Sequence, residues 1–480
     1  MLLRLLRVAA AVAAVLNLVG LPFPMIGHAS ECTSTSRLLR YVVLFDAGTP
    51  DPAAAQAVRA ACGTTTTYYQ QIGVGVTTSS DPRFAVRFGP DRTYSAQAET
   101  VGNPPRTERA NPAVAPTAGG LPAAAQALSA DRSAEQWDME MIHAPQARMI
   151  NRGRPEVLIG VLDSGVDATH PDLATAVDST RSAGCLSGKP DQSPQAWSPT
   201  TSIHGTHVAG TIAALDDGHG ITGVAPGVRL ASIKVVDDEG FIYPEYAVCG
   251  FMWAAQQQMR IANNSYSLDP WLLTCSDRPG QAVAYEALRR AVEYATAHGV
   301  LSIAAAGNER TNLADPRQDL RSPDNTPNPR PRPVDGHCHV LPAQLPGVVA
   351  VSAVGAQRVK SEYSSYGLGV VAVTAPGGDR AQLPPAGAGG CVLSTIPGGY
   401  GYACGTSMAA PHVSGVAALL ASTRPEAGPH ELATVLRRQA GSLPCPDDDG
   451  TTAAECTGNI DNGFYGHGLV DALSAVSRRG

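Results

Sequence analysis

Positive charge is not in excess in this 480-residue sequence: Lys and Arg number 35, Asp and Glu number 42, and the formal net charge is −7. This balance excludes the broad basic surface that binds nucleic acid. No CxxC spacing occurs, and His204 and His207 lack the i, i+4 spacing and the intervening Glu of a zinc-protease helix. After residue 21 no apolar run is long enough to span a membrane.

The first 29 residues have the three parts of a secretory signal. Arg4 and Arg7 give the first residues a positive charge, residues 8–21 form an apolar core, and the small residues Gly27 and Ala29 offer a cleavage point. A membrane anchor is the alternative, but the run is short for a spanning helix and two prolines close it. We therefore expect export with removal of this segment, and a product that is free outside the cell.

Ten cysteines fit an oxidising destination, and disulfides are the expected use. Two lie early and eight late, so each region can pair within itself. The predicted strand from Arg40 and the helix ending near Cys62 run antiparallel, which predicts a Cys32–Cys62 disulfide. The eight later cysteines allow many pairings, among which we expect Cys249–Cys275 and Cys445–Cys456; the others are Cys185, Cys338, Cys391 and Cys404.

Changes in composition divide the chain. Strand patterns at 40–48, 71–78 and 83–88, with a helix pattern at 51–62, predict a small α+β unit. Residues 99–129 are rich in Pro, Ala and Gly and have no periodic apolar face, which is typical of a linker. We expect four segments: a signal peptide at 1–29, the small unit at 30–98, the linker at 99–129 and a large domain at 130–480.

Continuous apolar strands alternate with helices in the large domain. The strands are predicted at 156–162, 228–236, 300–307 and 347–355, and one of the helices at 281–298. This alternation predicts a parallel sheet with helices on both faces. Active sites in such sheets lie at the carboxyl ends of the strands.

Polar residues at three element ends supply the parts of a hydrolytic site. Asp163 follows a strand, His204 begins a helix, and Ser407 lies among small residues where another helix begins. A nucleophilic serine needs a base within hydrogen-bond reach, and the base needs a carboxylate to orient it. Free N–H groups at the helix start favour an oxyanion beside Ser407. Taken singly, each residue is equally well explained as a cap or a structural residue.

Together the three segments resemble those of the subtilisin-like serine proteases. They are "VLDSGVDATHPDL", "HGTHVAGTIAA" and "GTSMAAPHVSG", in the order Asp, His, Ser. Chymotrypsin-like enzymes have another order, and the GxSxG of α/β-hydrolases does not match. The resemblance spans roughly residues 130–475 and looks closest to secreted actinobacterial members. It implies a three-layer α/β/α domain with a mainly parallel sheet, preceded by an inhibitory propeptide that the enzyme cuts off near 126–133.

The resemblance also implies roles for further residues. Asn308 matches the family's oxyanion asparagine, whose amide would donate together with the Ser407 N–H. Gly240, Phe241 and Ile242 match an edge strand that pairs with extended substrate. The family often has glycine where Ile242 stands. Six residues match the two walls of the primary specificity pocket: Ser265, Tyr266, Ser267, Ala305, Ala306 and Gly307. None of them is charged, which implies an apolar substrate residue before the scissile bond. Ser267 stands where glycine is usual and would narrow this pocket.

A calcium site is implied by a loop of the family's length at 215–226. Asp172 and Asp217 fall on its carboxylate positions, and oxygen ligands suit calcium. Solvated loop aspartates are an equal alternative, and Ser133 stands where the family has an amide ligand. The backbone oxygens would come from Leu215, His219 and Ile221.

These residues imply a secreted serine endopeptidase that acts on extended protein or peptide segments through an acyl-enzyme. It would need no cofactor for catalysis, work as a monomer and be inhibited by its own propeptide. A secreted binding protein that keeps the fold without catalysis is the alternative. All four catalytic positions are filled, which argues against that alternative.

Overall fold

The structure, a computed structural model, describes residues 32–35, 37–100, 130–327, 329–384, 389–446, 455–459 and 461–477. The predicted signal and the predicted linker from residue 101 lie outside these residues. Within them, no helix combines the length and apolar character needed to cross a membrane.

The N-terminal unit is a four-stranded antiparallel sheet with the strand order β2–β3–β1–β4. The predicted strand at 83–88 is wrong, because this segment is helical. Phe84 and Phe88 lie one turn apart there, with ring centroids 5.8 Å from each other. The strand β2 was not predicted, since four threonines and two tyrosines give no apolar alternation. The elements are β1 (Leu39–Leu44), α1 (Asp51–Ala60), β2 (Thr64–Tyr69), β3 (Val74–Ser79), α2 (Phe84–Phe88) and β4 (Thr93–Tyr94).

The large domain contains a seven-stranded sheet, ordered β15–β14–β10–β8–β5–β7–β6, in which every pair is parallel. This confirms the predicted three-layer α/β/α fold. The strands of the sheet are β5 (Leu158–Asp163), β6 (Ala183–Gly184), β7 (Arg229–Lys234), β8 (Ile261–Asn264), β10 (Leu301–Ala305), β14 (Val349–Val354) and β15 (Val373–Pro376).

Helices cover both faces of the sheet. They are α3 (Trp137–Met141), α4 (Ala144–Arg148), α5 (Pro194–Trp197), α6 (His204–Ala213), α7 (Pro244–Gln256), α8 (Gln281–Ala297), α9 (Thr406–Thr423), α10 (Pro429–Gln439) and α11 (Ala472–Val476). Short strands of the large domain outside this sheet form three antiparallel pairs: β9 (Thr274–Cys275) with β13 (Cys338–His339), β11 (Gln318–Asp319) with β12 (Arg332–Pro333), and β16 (Val392–Ile396) with β17 (Gly399–Ala403).

Alternate residues of β5 face opposite layers, as the period of a strand requires. Ile159 and Val161 belong to the core that includes α6 and α9. Leu158 and Leu162 belong to the core that includes α7 and α8. Because both faces are covered, the strand is apolar throughout, and this is why its position could be predicted.

Five disulfides use all ten cysteines. Cys32–Cys62 and Cys445–Cys456 confirm two predictions. The predicted Cys249–Cys275 pair is wrong. Cys275 lies directly opposite Cys338 in the β9–β13 pair and is bonded to it, while Cys249 on α7 is bonded to Cys185. The fifth disulfide joins Cys391 and Cys404 across the base of the β16–β17 hairpin.

The N-terminal unit packs on the face of the large domain formed by α7 and α8. Val42, Val74 and Tyr94 of its sheet share a buried core with these helices. The Arg290 guanidinium on α8 donates to the carbonyl oxygens of Phe45 and Ile72, at 2.7 and 3.0 Å. The unit is therefore held by an apolar face and by hydrogen bonds to its backbone.

Candidate active site

A cleft of about 1230 Å³ opens at the carboxyl edge of the parallel sheet. Asp163 is the last residue of β5, His204 the first of α6 and Ser407 the second of α9, and Asn308 follows β10. The structure brings all four predicted residues to the wall of this one cleft.

Asp163 and His204 are hydrogen-bonded, with His204 Nδ1 2.8 Å from Asp163 Oδ1 and 2.9 Å from Oδ2. Burial favours the neutral imidazole, but the charge of Asp163 and its hydrogen bond outweigh burial, and the pKa of His204 is raised above 6.5. The bond uses Nδ1 and so leaves Nε2 for a proton transfer. The pair has the geometry of a base with its orienting carboxylate.

Close backbone approach explains the glycine beside His204. A Cβ on Gly205 would lie 2.4 Å from the carbonyl oxygen of Gly165 and 3.1 Å from Asp163 Oδ1. The Gly205 N–H donates to Ser164 Oγ at 3.0 Å. The first turn of α6 is thus fastened to the end of β5, which fixes where His204 meets Asp163.

Ser407 lies in the first turn of α9, and its hydroxyl donates to the carbonyl oxygen of Ser265 at 3.0 Å. Ser265 Oγ donates in return to the carbonyl oxygen of Ser407 at 2.8 Å. The amide of Thr406 is bonded to Asn308 and that of Met408 to Gly405. The N–H of Ser407 lies between these two bonded N–H groups and, among the described residues, is available to a ligand at the helix start.

Asn308 has a fixed orientation. Its Oδ1 accepts from the N–H and from the hydroxyl of Thr406, both at 2.9 Å. Because Oδ1 faces Thr406, the NH₂ group of the amide points away from that residue. The side-chain NH₂ of Asn308 and the backbone N–H of Ser407 therefore both lie near the start of α9, in the same cleft.

The sequence model of the subtilase family matches residues 154–468. This chain belongs to the subtilase family. Fervidolysin from Fervidobacterium pennivorans is 32% identical over 375 residues, which are 74% of this chain and 46% of fervidolysin. Subtilisin NAT from Bacillus subtilis subsp. natto is 31% identical, over 60% of this chain and 61% of its own length. The chain thus spans less than two thirds of these two relatives.

Other relatives are covered almost completely. Subtilisin DY from Bacillus licheniformis is 30% identical over 71% of this subtilase and 98% of its own chain. A crystal structure of a lanthipeptide protease has 27% identity and a TM-score of 0.56, over 72% of this chain and 94% of that one. The epidermin leader peptide processing serine protease of Staphylococcus aureus shares the fold at 19% identity and a TM-score of 0.65, over 92% and 98%.

The residues predicted to bind substrate are not all placed in the cleft. Gly240, Ile242, the three residues Ser265–Ser267, Ala305 and Gly307 line it, whereas Ala306 is fully buried and the Phe241 ring stacks on Tyr243 with centroids 5.7 Å apart. The Ile242 N–H donates to Asp269 Oδ2 at 2.7 Å, and the Asp269 N–H donates to the Ile242 carbonyl at 2.9 Å. Ile242 already has intramolecular partners for both backbone groups.

Asp237 lies at the same rim and was not singled out from the sequence. Its Oδ1 accepts from the Phe241 N–H at 2.9 Å. Burial raises the pKa of Asp237 to about 7, and the nearby charges of Glu239 and Asp269 add to this, while the Phe241 N–H opposes it. One acidic group at the edge of the cleft thus changes charge near neutral pH.

Further charged residues in the cleft were missed by sequence reasoning, among them Glu309 and Arg321. Glu309 directly follows Asn308, and Arg321 lies 12 residues after Glu309; both line the cleft and form an ion pair. The uncharged walls of the predicted pocket are therefore accompanied by a carboxylate and a guanidinium. Glu309 could have been considered from its place next to Asn308, but nothing in the sequence places Arg321 there.

The predicted calcium site does not fit calcium in this arrangement. Asp172 is buried, and both of its carboxylate oxygens lie 3.0 Å from the hydroxyl of Tyr400. The Ile221 N–H also donates to Asp172 Oδ2. Asp217 is exposed and accepts from the His219 N–H, so the solvated-loop explanation suits Asp217 and not Asp172. The Tyr400 hydroxyl fills the space above Gly220, 1.9 Å from where a Cβ would stand.

Proposed function

We propose that this subtilase is a secreted serine endopeptidase that hydrolyses peptide bonds in extended protein segments. The observation that supports this proposal most directly is the 2.8 Å hydrogen bond between His204 Nδ1 and Asp163 Oδ1. It lies in the same cleft as Ser407, which is in the first turn of a helix. An open cleft of this size accommodates several residues of an extended chain. Its two uncharged walls suit an apolar side chain before the scissile bond.

In the proposed reaction, Ser407 Oγ attacks the carbonyl carbon of the scissile bond. His204 Nε2 accepts the hydroxyl proton and later delivers it to the leaving amine, while Asp163 stabilises the imidazolium that forms. The Ser407 hydroxyl must leave the Ser265 carbonyl for this step, and an N–H of the substrate can take over that acceptor. Water then hydrolyses the acyl-enzyme with His204 as base.

The oxyanion of the tetrahedral intermediate would receive two hydrogen bonds. The donors are the Asn308 side-chain amide and the N–H of Ser407, supported by the positive end of α9. Thr406 fixes the Asn308 amide before substrate binds, which removes the cost of reorienting this donor during the reaction.

Residues 30–98 are proposed to be the inhibitory propeptide of a self-processed precursor, exported through the signal at 1–29. The packing of this unit on α7 and α8 supports the assignment. The S. aureus structure covers 92% of this chain, a share that residues 130–480 alone cannot reach, so the likeness in fold extends to this unit. The cut is expected near 126–133.

Hydrolysis of unfolded casein by the secreted protein tests the proposed activity. We expect the wild type to release acid-soluble peptides and Ser407→Ala to release none. Made in a host without other proteases, Ser407→Ala should accumulate as residues 30–480, because it cannot cut its own linker. A catalytically silent binding protein would leave casein intact in both cases, and normal maturation of Ser407→Ala in isolation would contradict self-processing.

A further inference from the structure

The long connection between β10 and β14 delivers a charged side chain to the cleft. It contains the β11–β12 pair and the strand β13, which is joined to β9 by the Cys275–Cys338 disulfide. Arg321 lies just after β11 and lines the cleft together with Leu272. A segment far along the chain from the Ser407 helix therefore contributes to the substrate-binding surface.

Buried contacts fix the segment that carries Arg321. Asp319 is fully buried and accepts from the Arg332 guanidinium through Nη2 at 2.8 Å and Nε at 3.1 Å. That guanidinium lies 4.6 Å from the centroid of the Trp271 ring. The Leu272 N–H donates to Ser322 Oγ at 2.8 Å. Since residues on both sides of Arg321 are anchored, its position in the cleft is set by the fold.

Arg321 Nη1 donates to Glu309 Oε1. The side chains are 35% and 24% exposed, so both charges are partly removed from water. Glu309 follows Asn308 directly, and both line the cleft together with Ser265–Ser267, Ala305 and Gly307. A carboxylate at this place would attract a cationic substrate side chain if it had no partner, because water screens a half-buried charge only in part.

We propose that Arg321 determines primary specificity by neutralising Glu309, so that the pocket accepts uncharged side chains and disfavours Lys and Arg. This inference rests on the proposed endopeptidase function and adds that Arg321 sets the preference for the side chain before the scissile bond. Specificity is a difference of affinities, and a built-in guanidinium both occupies the carboxylate and repels an incoming cation.

Arg321→Met tests the proposal, since methionine keeps an unbranched apolar stem and removes the charge. We would measure kcat/KM for one peptide series with Leu, Met, Phe, Lys or Arg before the scissile bond. We expect the Lys-to-Leu ratio of kcat/KM to rise about tenfold at low salt and to rise less at high salt. Adding Glu309→Gln should bring the ratio back to that of the wild type.

Arg317→Met is the matched control, because Arg317 belongs to the same connection and its ion pair with Asp315 is exposed. It should leave the ratio unchanged. The proposal would be overturned if an active Arg321→Met enzyme had the same Lys-to-Leu ratio as the wild type. It would also be overturned if the wild type preferred to cleave after Lys or Arg, a result that does not depend on the folding of any variant. If the wild type hydrolyses no peptide of the series, the proposed function itself is wrong.

Discussion

At the scale of single residues, the His204–Asp163 contact determines the pH range in which the site is active. His204 must be neutral to accept the proton of Ser407, and Asp163 raises the pKa of His204 above 6.5. We therefore expect kcat/KM of the wild type to rise with pH through a midpoint above 6.5, measured with a neutral peptide.

Replacing Asp163 removes both the charge and the orientation of the imidazole. Asp163→Asn should lower kcat by roughly 10⁴-fold, because the amide permits the wrong tautomer. Its midpoint should move below that of the wild type. Asp167→Asn is the control, since Asp167 lies in the loop that follows Asp163 and its carboxylate accepts from Thr169 instead. A midpoint that does not move in Asp163→Asn would show that another group titrates.

At the scale of elements, the hairpin of β16 and β17 supplies a hydrogen-bond donor to Asp172, a residue that the resemblance assigned to a calcium site. Tyr400 donates to the buried Asp172, and Tyr402 donates to Glu135, which also pairs with Arg132. These bonds tie the hairpin to the segment that carries Asp172 and to the start of the large domain. Internal donors thus satisfy the carboxylate that the resemblance assigned to calcium.

Chelation should therefore leave the melting temperature of the wild type unchanged. Tyr400→Phe should lower the free energy of unfolding by about 1–3 kcal/mol, because it leaves a buried carboxylate short of a donor. Tyr402→Phe is the control and should cost about 0–1 kcal/mol, since its partner Glu135 is half-exposed. A melting temperature that falls in chelator and recovers with calcium would restore the cation site.

Predictability from sequence also differs between elements. Buried strands such as β5 were found because both of their faces are apolar. The central strand β8 was missed, as it is four residues long and ends in Asn263 and Asn264, which are buried but polar. The cleft residues Asp163, His204 and Ser407 could be placed because each ends or begins an element. Arg321 could not, since it lies in an irregular segment after the short strand β11, and only the folding of the chain between the two residues brings it to Glu309.

At the scale of the whole molecule, the N-terminal unit and the large domain form an interface with several polar contacts, among them those of Arg40, Tyr69 and Arg290. Arg290 donates to two carbonyl groups of the N-terminal unit, and Glu286 holds the same guanidinium. Supplied separately, the unit at 30–98 should inhibit the Arg290→Ala enzyme about tenfold more weakly than the wild type. Arg289→Ala is the control, because Arg289 pairs with Glu286 and Glu293 of its own helix. Equal inhibition of both variants would show that Arg290 does not contribute to binding of the N-terminal unit.

The central claim is that Ser407 is the nucleophile of a working site, and a fluorophosphonate probe tests it most directly. The secreted protein would be treated with the probe, digested and analysed by mass spectrometry. We predict one adduct on Ser407, with labelling that is lost in Ser407→Ala and strongly slowed in Asp163→Asn. A folded wild-type protein that carries no adduct on Ser407 would contradict the account and favour a binding protein that keeps the subtilase fold.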